Sequence, residues 1–122
     1  MTNQNQSNSE ITAEKVTRLV QACEQADPAF FSLGTPAVGP DENTQAIIDL
    51  GTAAVEPLLD LLPTVQPHGA ACIAYCLGQL GDRRAAPLLT ETLGIYQSKT
   101  EKSPYDFAFI GNARIALSNL LG

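Results

Sequence analysis

Apolar positions along this chain recur at helical spacing in separate blocks, and glycines and prolines divide the blocks. Val16, Leu19, Val20 and Cys23 stand at i, i+3, i+4 and i+7, so one face of a first helix is apolar. Thr12 is placed to cap that helix, with Ile11 and Val16 as a hydrophobic staple. Asp27-Pro28 closes it and opens a further short helical turn through Ala29, Phe30, Phe31 and Leu33. Pro36, Gly39 and Pro40 disfavour a continuous helix, so Gly34 to Pro40 reads as a loop. Asp41 then caps a helix to Leu50 that turns Ala46, Ile47 and Leu50 inward. Further helices are predicted from about Val55 to Leu62, His68 to Leu80, Ala85 to about Gln97, and Tyr105 to Leu121.

Within this pattern one segment repeats. Leu50-Gly51-Thr52-Ala53-Ala54-Val55-Glu56-Pro57-Leu58-Leu59 returns thirty residues later as Leu80-Gly81-Asp82-Arg83-Arg84-Ala85-Ala86-Pro87-Leu88-Leu89, with Leu, Gly, Pro, Leu and Leu in register. Gly51 and Gly81 each follow an apolar helical run, where a residue able to take positive φ ends a helix without a Cβ clash. Pro57 and Pro87 must lie in the first turn of the next helix, because deeper inside they would delete a hydrogen bond and clash. The unit is an α-hairpin with a turn of about four residues. The last helix keeps the phase: Ala116, Leu117 and Leu120 stand forty residues after Cys76, Leu77 and Leu80. Repetition at this spacing predicts an all-α, right-handed α-solenoid of two to three hairpins, each burying its apolar face on its neighbour. Leu33-Gly34-Thr35-Pro36-Ala37-Val38 echoes the turn segment at an offset too short for a helix pair.

The chain has 122 residues, enough for one domain, expected over 10–122 behind a polar, disordered tail at 1–9. At 44% apolar and 16% charged it fits a soluble globule, and no apolar run reaches the length needed to span a bilayer. The Asn- and Gln-rich start lacks the basic and apolar regions of a secretory signal, so the expected location is cytoplasmic. A net charge of −6 opposes unspecific attraction to phosphate backbones, which removes nucleic acid as an expected partner. Cys23, Cys72 and Cys76 have no framework spacing and are expected as free thiols.

The run Ala71-Cys72-Ile73-Ala74-Tyr75-Cys76-Leu77-Gly78-Gln79-Leu80-Gly81-Asp82-Arg83-Arg84-Ala85-Ala86-Pro87-Leu88-Leu89 resembles the HEAT-like repeat named after phycobilisome lyases. There an Ala-rich first helix ends in Ala-Leu-Gly-x-Leu-Gly-Asp, and a second opens on Ala-Val-Pro before a Leu-rich run. The likeness covers one repeat well and its predecessor, Leu50 to Leu62, recognisably. It implies an armadillo-like α-solenoid used as a binding surface, with bilin-handling proteins as one branch. A motif of this kind records packing and turn geometry rather than chemistry.

Candidate chemistry is sparse. His68, Cys72 and Cys76 share one side of a helix, but i and i+8 lie about 12 Å apart along the axis, too far for one metal whose bonds are about 2 Å. Small buried thiols are the expected reading of Cys72 and Cys76. The one histidine leaves no persuasive Ser-His-Asp set, and Glu56 with Asp60, four apart on a helix, reads as a solvated face. The expectation is therefore no catalytic, metal or cofactor residue. The expected function is a non-catalytic protein-protein interaction scaffold or adaptor, with a bilin lyase-related subunit as the alternative. The expected contact surface is Arg83, Arg84, Tyr96, Lys99, Lys102 and Tyr105. Arg83 and Arg84 precede a helix, and the others lie on or beside the polar insertion Ser98 to Pro104, which breaks the repeat. Phe107, Phe109, Ile110, Ile115 and Leu121 make the last helix apolar on more than one side, so it should be partly buried and offer some contact surface, including to a second copy as a homodimer.

Overall fold

A computed structural model of the protein describes the backbone of residues 4–26, 29–30 and 36–122, and side chains over 10–26 and 36–122. Its elements are α1 (Gln4–Gln25), β1 (Ala29–Phe30), β2 (Pro36–Ala37), α2 (Glu42–Asp49), α3 (Val55–Leu61), α4 (Pro67–Leu80), α5 (Ala86–Gln97) and α6 (Pro104–Leu121). The described residues are all-α apart from a single two-residue antiparallel pairing of Ala29 with Ala37 and Phe30 with Pro36.

The repeated turn forms as its sequence requires. Gly51 and Gly81 adopt φ of 70° and 71°, the left-handed region where a Cβ would be strained. Each leads into a short 3₁₀ turn, Gly51–Ala54 and Arg83–Ala85, and then into a helix with proline in its first turn. Asp82 caps the second of these turns by accepting from the Arg84 amide at 3.0 Å. Asp41 caps α2 through a reciprocal box: its carboxylate accepts from the Thr44 amide at 2.7 Å, and the Thr44 hydroxyl accepts from the Asp41 amide at 2.9 Å.

Two regions differ from the sequence pattern. The first helix begins at Gln4, so Thr12 lies inside it and does not start it, and 4–9 continue the helix where a disordered tail was expected. Nothing from Gln4 to Gln25 is a helix breaker, and an N-cap works only where the preceding backbone leaves the helix. The staple is consequently not made, and Ile11 is exposed. The helical turn expected at Ala29 and Phe30 is instead β1, held against Pro36–Ala37. Proline cannot donate to a ladder, which limits the length of such a pairing. Met1 to Asn3, Asp27, Pro28, Phe31 and the echo at Leu33-Gly34-Thr35 lie outside the described residues.

Helix α4 is the centre of the packing. It touches α1, α2 and α3 on one side and α6 on the other, while α6 also rests on α5. Val16, Val20, Ile47, Leu58, Ile73, Leu77, Leu89 and Phe109 fill the core. Leu88 and Leu117 pack at its edge. Where α4 crosses α6, a Cβ built on Gly78 would stand 2.9 Å from both Cα and Cβ of Ala116. Backbones meet there because one residue has no side chain and the other has a methyl. Cys23, Cys72 and Cys76 are free, buried thiols of this core. The Cys76 thiol reaches the Thr44 carbonyl at 3.9 Å. A hydrogen bond with Cys72, followed by burial, pushes the Cys23 thiol far above the ordinary range. For Cys72 the bond to Cys23 favours the thiolate, but Cys76 and burial outweigh it and raise that thiol too.

Two glycine substitutions test the crossing. Gly78→Ala must force the helices apart and should lower stability by about 1–3 kcal/mol. Gly94→Ala, on α5 with open space before it, should raise stability by about 0.5–1 kcal/mol through helix propensity. Urea denaturation of both variants checks the opposite signs.

Candidate functional site

The described surface has one clearly apolar cleft, of about 310 Å³, between the loop at 36–40, α4 and α6. Its back wall is Ala74 and Gly78 of α4 with Ala108 and Ala116 of α6, and Phe107 and Ile115 stand on its rim. These two side chains are 52% and 63% exposed, against complete burial for Phe109 on the opposite side of the same helix. Among the described residues no Asp, Glu, Lys or Arg lines the cleft. Its polar atoms come from Gln79, Asn112, Asn119 and backbone.

Two contacts set the shape of the cleft. Gly39, at φ 77°, lies flat against the ring of Tyr75, where a Cβ would come within 2.5 Å of the ring carbon. This close approach seats the loop on α4. Asn112 donates from Nδ2 to the carbonyls of Val38, at 3.1 Å, and Ala71, at 3.0 Å, so one side chain of α6 ties the loop and α4 together.

The six side chains expected as a contact surface fall into two places, away from this cleft. Arg83 is exposed in the 3₁₀ turn. Arg84 is also exposed and already engaged: Nη2 meets Asp82 Oδ2 at 2.9 Å, Nε reaches both Asp82 oxygens, and Nη1 meets Glu56 Oε1 at 3.1 Å. The Arg84 hydrogen bonds hold the Asp82 carboxyl below its usual range. The acid expected as a solvated face, Glu56, is thus tied across to the neighbouring turn.

The other four cluster at the insertion. Tyr96 is buried against Phe109, with ring centroids 4.3 Å apart, and the Lys99 ammonium lies 4.5 Å from the centre of its ring. Lys99 Nζ pairs with Asp106 Oδ1 at 2.7 Å, while Lys102 Nζ donates to the Lys99 carbonyl at 2.8 Å. Tyr105 stacks on His68 at 4.3 Å and 18°. Burial lowers the His68 pKa against the opposing contact with the Glu24 backbone. The insertion is therefore laid down against the helices. Ser103 and Asp106 complete this with a capping box at the start of α6, in which Asp106 Oδ2 accepts from the Ser103 amide at 2.7 Å. That box is written in the sequence as Ser103-Pro104-Tyr105-Asp106, at the end of an insertion whose polar composition otherwise reads as a break in the repeat. Among the described residues no group of His, Cys, Asp or Glu is arranged to hold a metal ion.

Asp106 offers a test of the tied insertion. Burial on its own would raise its pKa, but the bond to Lys99 and the two to Ser103 outweigh it and hold the carboxyl below its ordinary value. A depressed folded pKa contributes stability that is present above the unfolded pKa and lost as pH falls through the folded one. Asp106→Asn should cost about 1 kcal/mol at neutral pH. It should also flatten the loss of stability below about pH 4, read as urea midpoints across a pH series.

The profile of a family described as PBS lyase HEAT-like repeat matches residues 73–94. No curated protein and no solved structure matches the chain. The matched stretch begins in α4, passes through the Gly81 cap and the 3₁₀ turn, and ends in α5. Over these residues the segment from α4 into α5 is similar to a PBS lyase HEAT-like repeat, which agrees with the all-α helical build of the described residues.

Proposed function

We propose that the protein is a non-catalytic, protein-binding scaffold or adaptor that docks its partner on the cleft between α4, α6 and the loop at 36–40. The observation that carries this reading is an uncharged, apolar cleft with half-exposed Phe107 and Ile115 on a chain of net charge −6. Exposed apolar patches rimmed by polar groups mark contact sites, and aromatic anchors supply much of the energy there. The deployment of ionisable side chains also supports binding over catalysis: Asp82 and Arg84 hold a turn, Asp106 caps a helix, and His68 stacks on Tyr105. No described helix is long and apolar enough to cross a membrane. A cytoplasmic setting and a protein rather than nucleic-acid partner belong to the same proposal.

Bilin handling is a second reading, favoured by the family description alone. The cleft brings it little support, because the acidic groups of such a ligand call for a guanidinium or ammonium, and among the described residues no Arg or Lys lines it.

Affinity capture from native extract with the wild-type chain, Ile115→Glu and Asp60→Asn tests the docking face. The expected outcome is a partner retained by Asp60→Asn and weakened about 30-fold or more by Ile115→Glu, the loss of an exposed apolar anchor. Equal recovery by all three removes the cleft from the proposal. A red-shifted, protein-dependent absorbance band on mixing with an open-chain tetrapyrrole would instead favour the second reading.

A further inference from the structure

We propose that the cleft seats the indole ring of a tryptophan carried by the partner, with the indole N–H donated to Asn112 Oδ1. This rests on the cleft being the docking face and names the group that fills it.

The side-chain amide of Asn112 is fixed in orientation. Its Nδ2 donates to the carbonyls of Val38 at 3.1 Å and Ala71 at 3.0 Å, which uses both of its hydrogens. Turned the other way, the amide would press its own oxygen against two carbonyl oxygens, so Oδ1 points away from both. Among the described residues Oδ1 accepts no hydrogen bond, while every buried side-chain nitrogen or oxygen has a partner, so Oδ1 is not buried. The open space that Asn112 borders is the cleft. An acceptor held in one direction, with its lone pairs unspent, is thus set into an otherwise apolar wall. Gln79 and Asn119 line the cleft as well, but they are exposed and, among the described residues, no hydrogen bond holds them in one orientation.

The walls select the donor that this acceptor can take. Among the described residues no Asp, Glu, Lys or Arg lines the cleft, so an ammonium or guanidinium there would lose water and find no counter-charge. A main-chain amide or a hydroxyl would bring lone pairs of its own, and the Asn112 amide has no hydrogen left for them. Indole carries one N–H and no acceptor on a flat apolar body. Ala74, Gly78, Ala108 and Ala116 form a floor of small residues on which such a ring can lie, and half-exposed Phe107 and Ile115 offer it apolar contact at the rim. At about 310 Å³ the cleft stands at the small end of ligand pockets, the size for one bulky side chain rather than a folded face. Tryptophan is among the side chains that carry most of the energy of an interface.

None of the 122 residues is tryptophan, so the fluorescence of a tryptophan probe stands clear of the protein. N-acetyltryptophan amide titrated with the full chain should show a saturable blue shift, and the side-chain amide resonances of Asn112 should move along the same curve. The analogue methylated at the indole nitrogen should bind about five-fold or more weakly, because one hydrogen bond is lost and its acceptor is left unpaired. Ile115→Glu sets a charge at the rim and should weaken the probe about ten-fold or more. Its urea midpoint should not change, since the side chain at that position is exposed. The absence of a saturable shift up to the solubility limit of the probe, equal binding of the methylated analogue, or saturation that leaves Asn112 unmoved would each overturn the proposal. If the probe fails while Ile115→Glu still loses a captured partner, the indole is excluded and the docking cleft stands. If the probe binds as expected while capture ignores Ile115→Glu, the indole site stands and protein docking at the cleft falls.

Discussion

The close approach of α4 and α6 at Gly78 and Ala116 is the constraint on which the remaining packing depends. Helix α4 has neighbours on nearly every side, and a helix can accept them all at short range only if most of its side chains are small. Gly69, Ala70, Ala71, Cys72, Ala74, Cys76 and Gly78 meet that need and are all buried. Small residues contribute little apolar area themselves. The area comes from Leu58, Ile73, Leu77, Leu89 and Phe109, which interlock around the thin central helix. Enlarging any residue at the crossing would separate the bulky groups that supply the stability.

Polar side chains serve this arrangement more than they decorate it. Asn112 binds two carbonyls from different segments, and Thr44 closes the cap of α2 while lying fully buried. Lys99 satisfies the nearly buried Asp106 and lies over Tyr96, so the insertion is anchored at charge, cap and ring together. Among the described residues every buried side-chain nitrogen or oxygen has a partner. Asp82, Arg84 and Asp106 hold turns and caps, and among the described residues no Asp, Glu, Lys or Arg lines the cleft between α4, α6 and the loop at 36–40.

The three cysteines illustrate how burial decides chemistry. The spacing of His68, Cys72 and Cys76 along one helix suggests ligands, yet His68 turns to Tyr105 while the thiols contact one another and the α2 backbone. Contact with each other and burial raise the Cys23 and Cys72 thiols above their ordinary range, which disfavours the thiolate form. Their role is that of the alanines beside them.

The sequence by itself determined the helices and their turns. Each Gly-to-Pro segment carries a conformational requirement that local chemistry satisfies alone: positive φ at Gly51 and Gly81, fixed φ at Pro57 and Pro87, a side-chain cap at Asp41. The inward residues of α1, α2 and α4 followed from periodicity for the same reason. Tertiary structure decided what those signals do not encode. Thr12 has the chemistry of a cap, but α1 runs on from Gln4, so the helix does not start there. Arg84, Tyr96 and Lys99 looked available, and their partners Glu56, Phe109 and Asp106 come from other elements. The cleft is assembled from segments as far apart in the chain as Pro36 and Asn119, and no local pattern marks it. A turn is a property of consecutive backbone dihedrals, whereas a surface is a property of which distant faces are left uncovered once the core has closed.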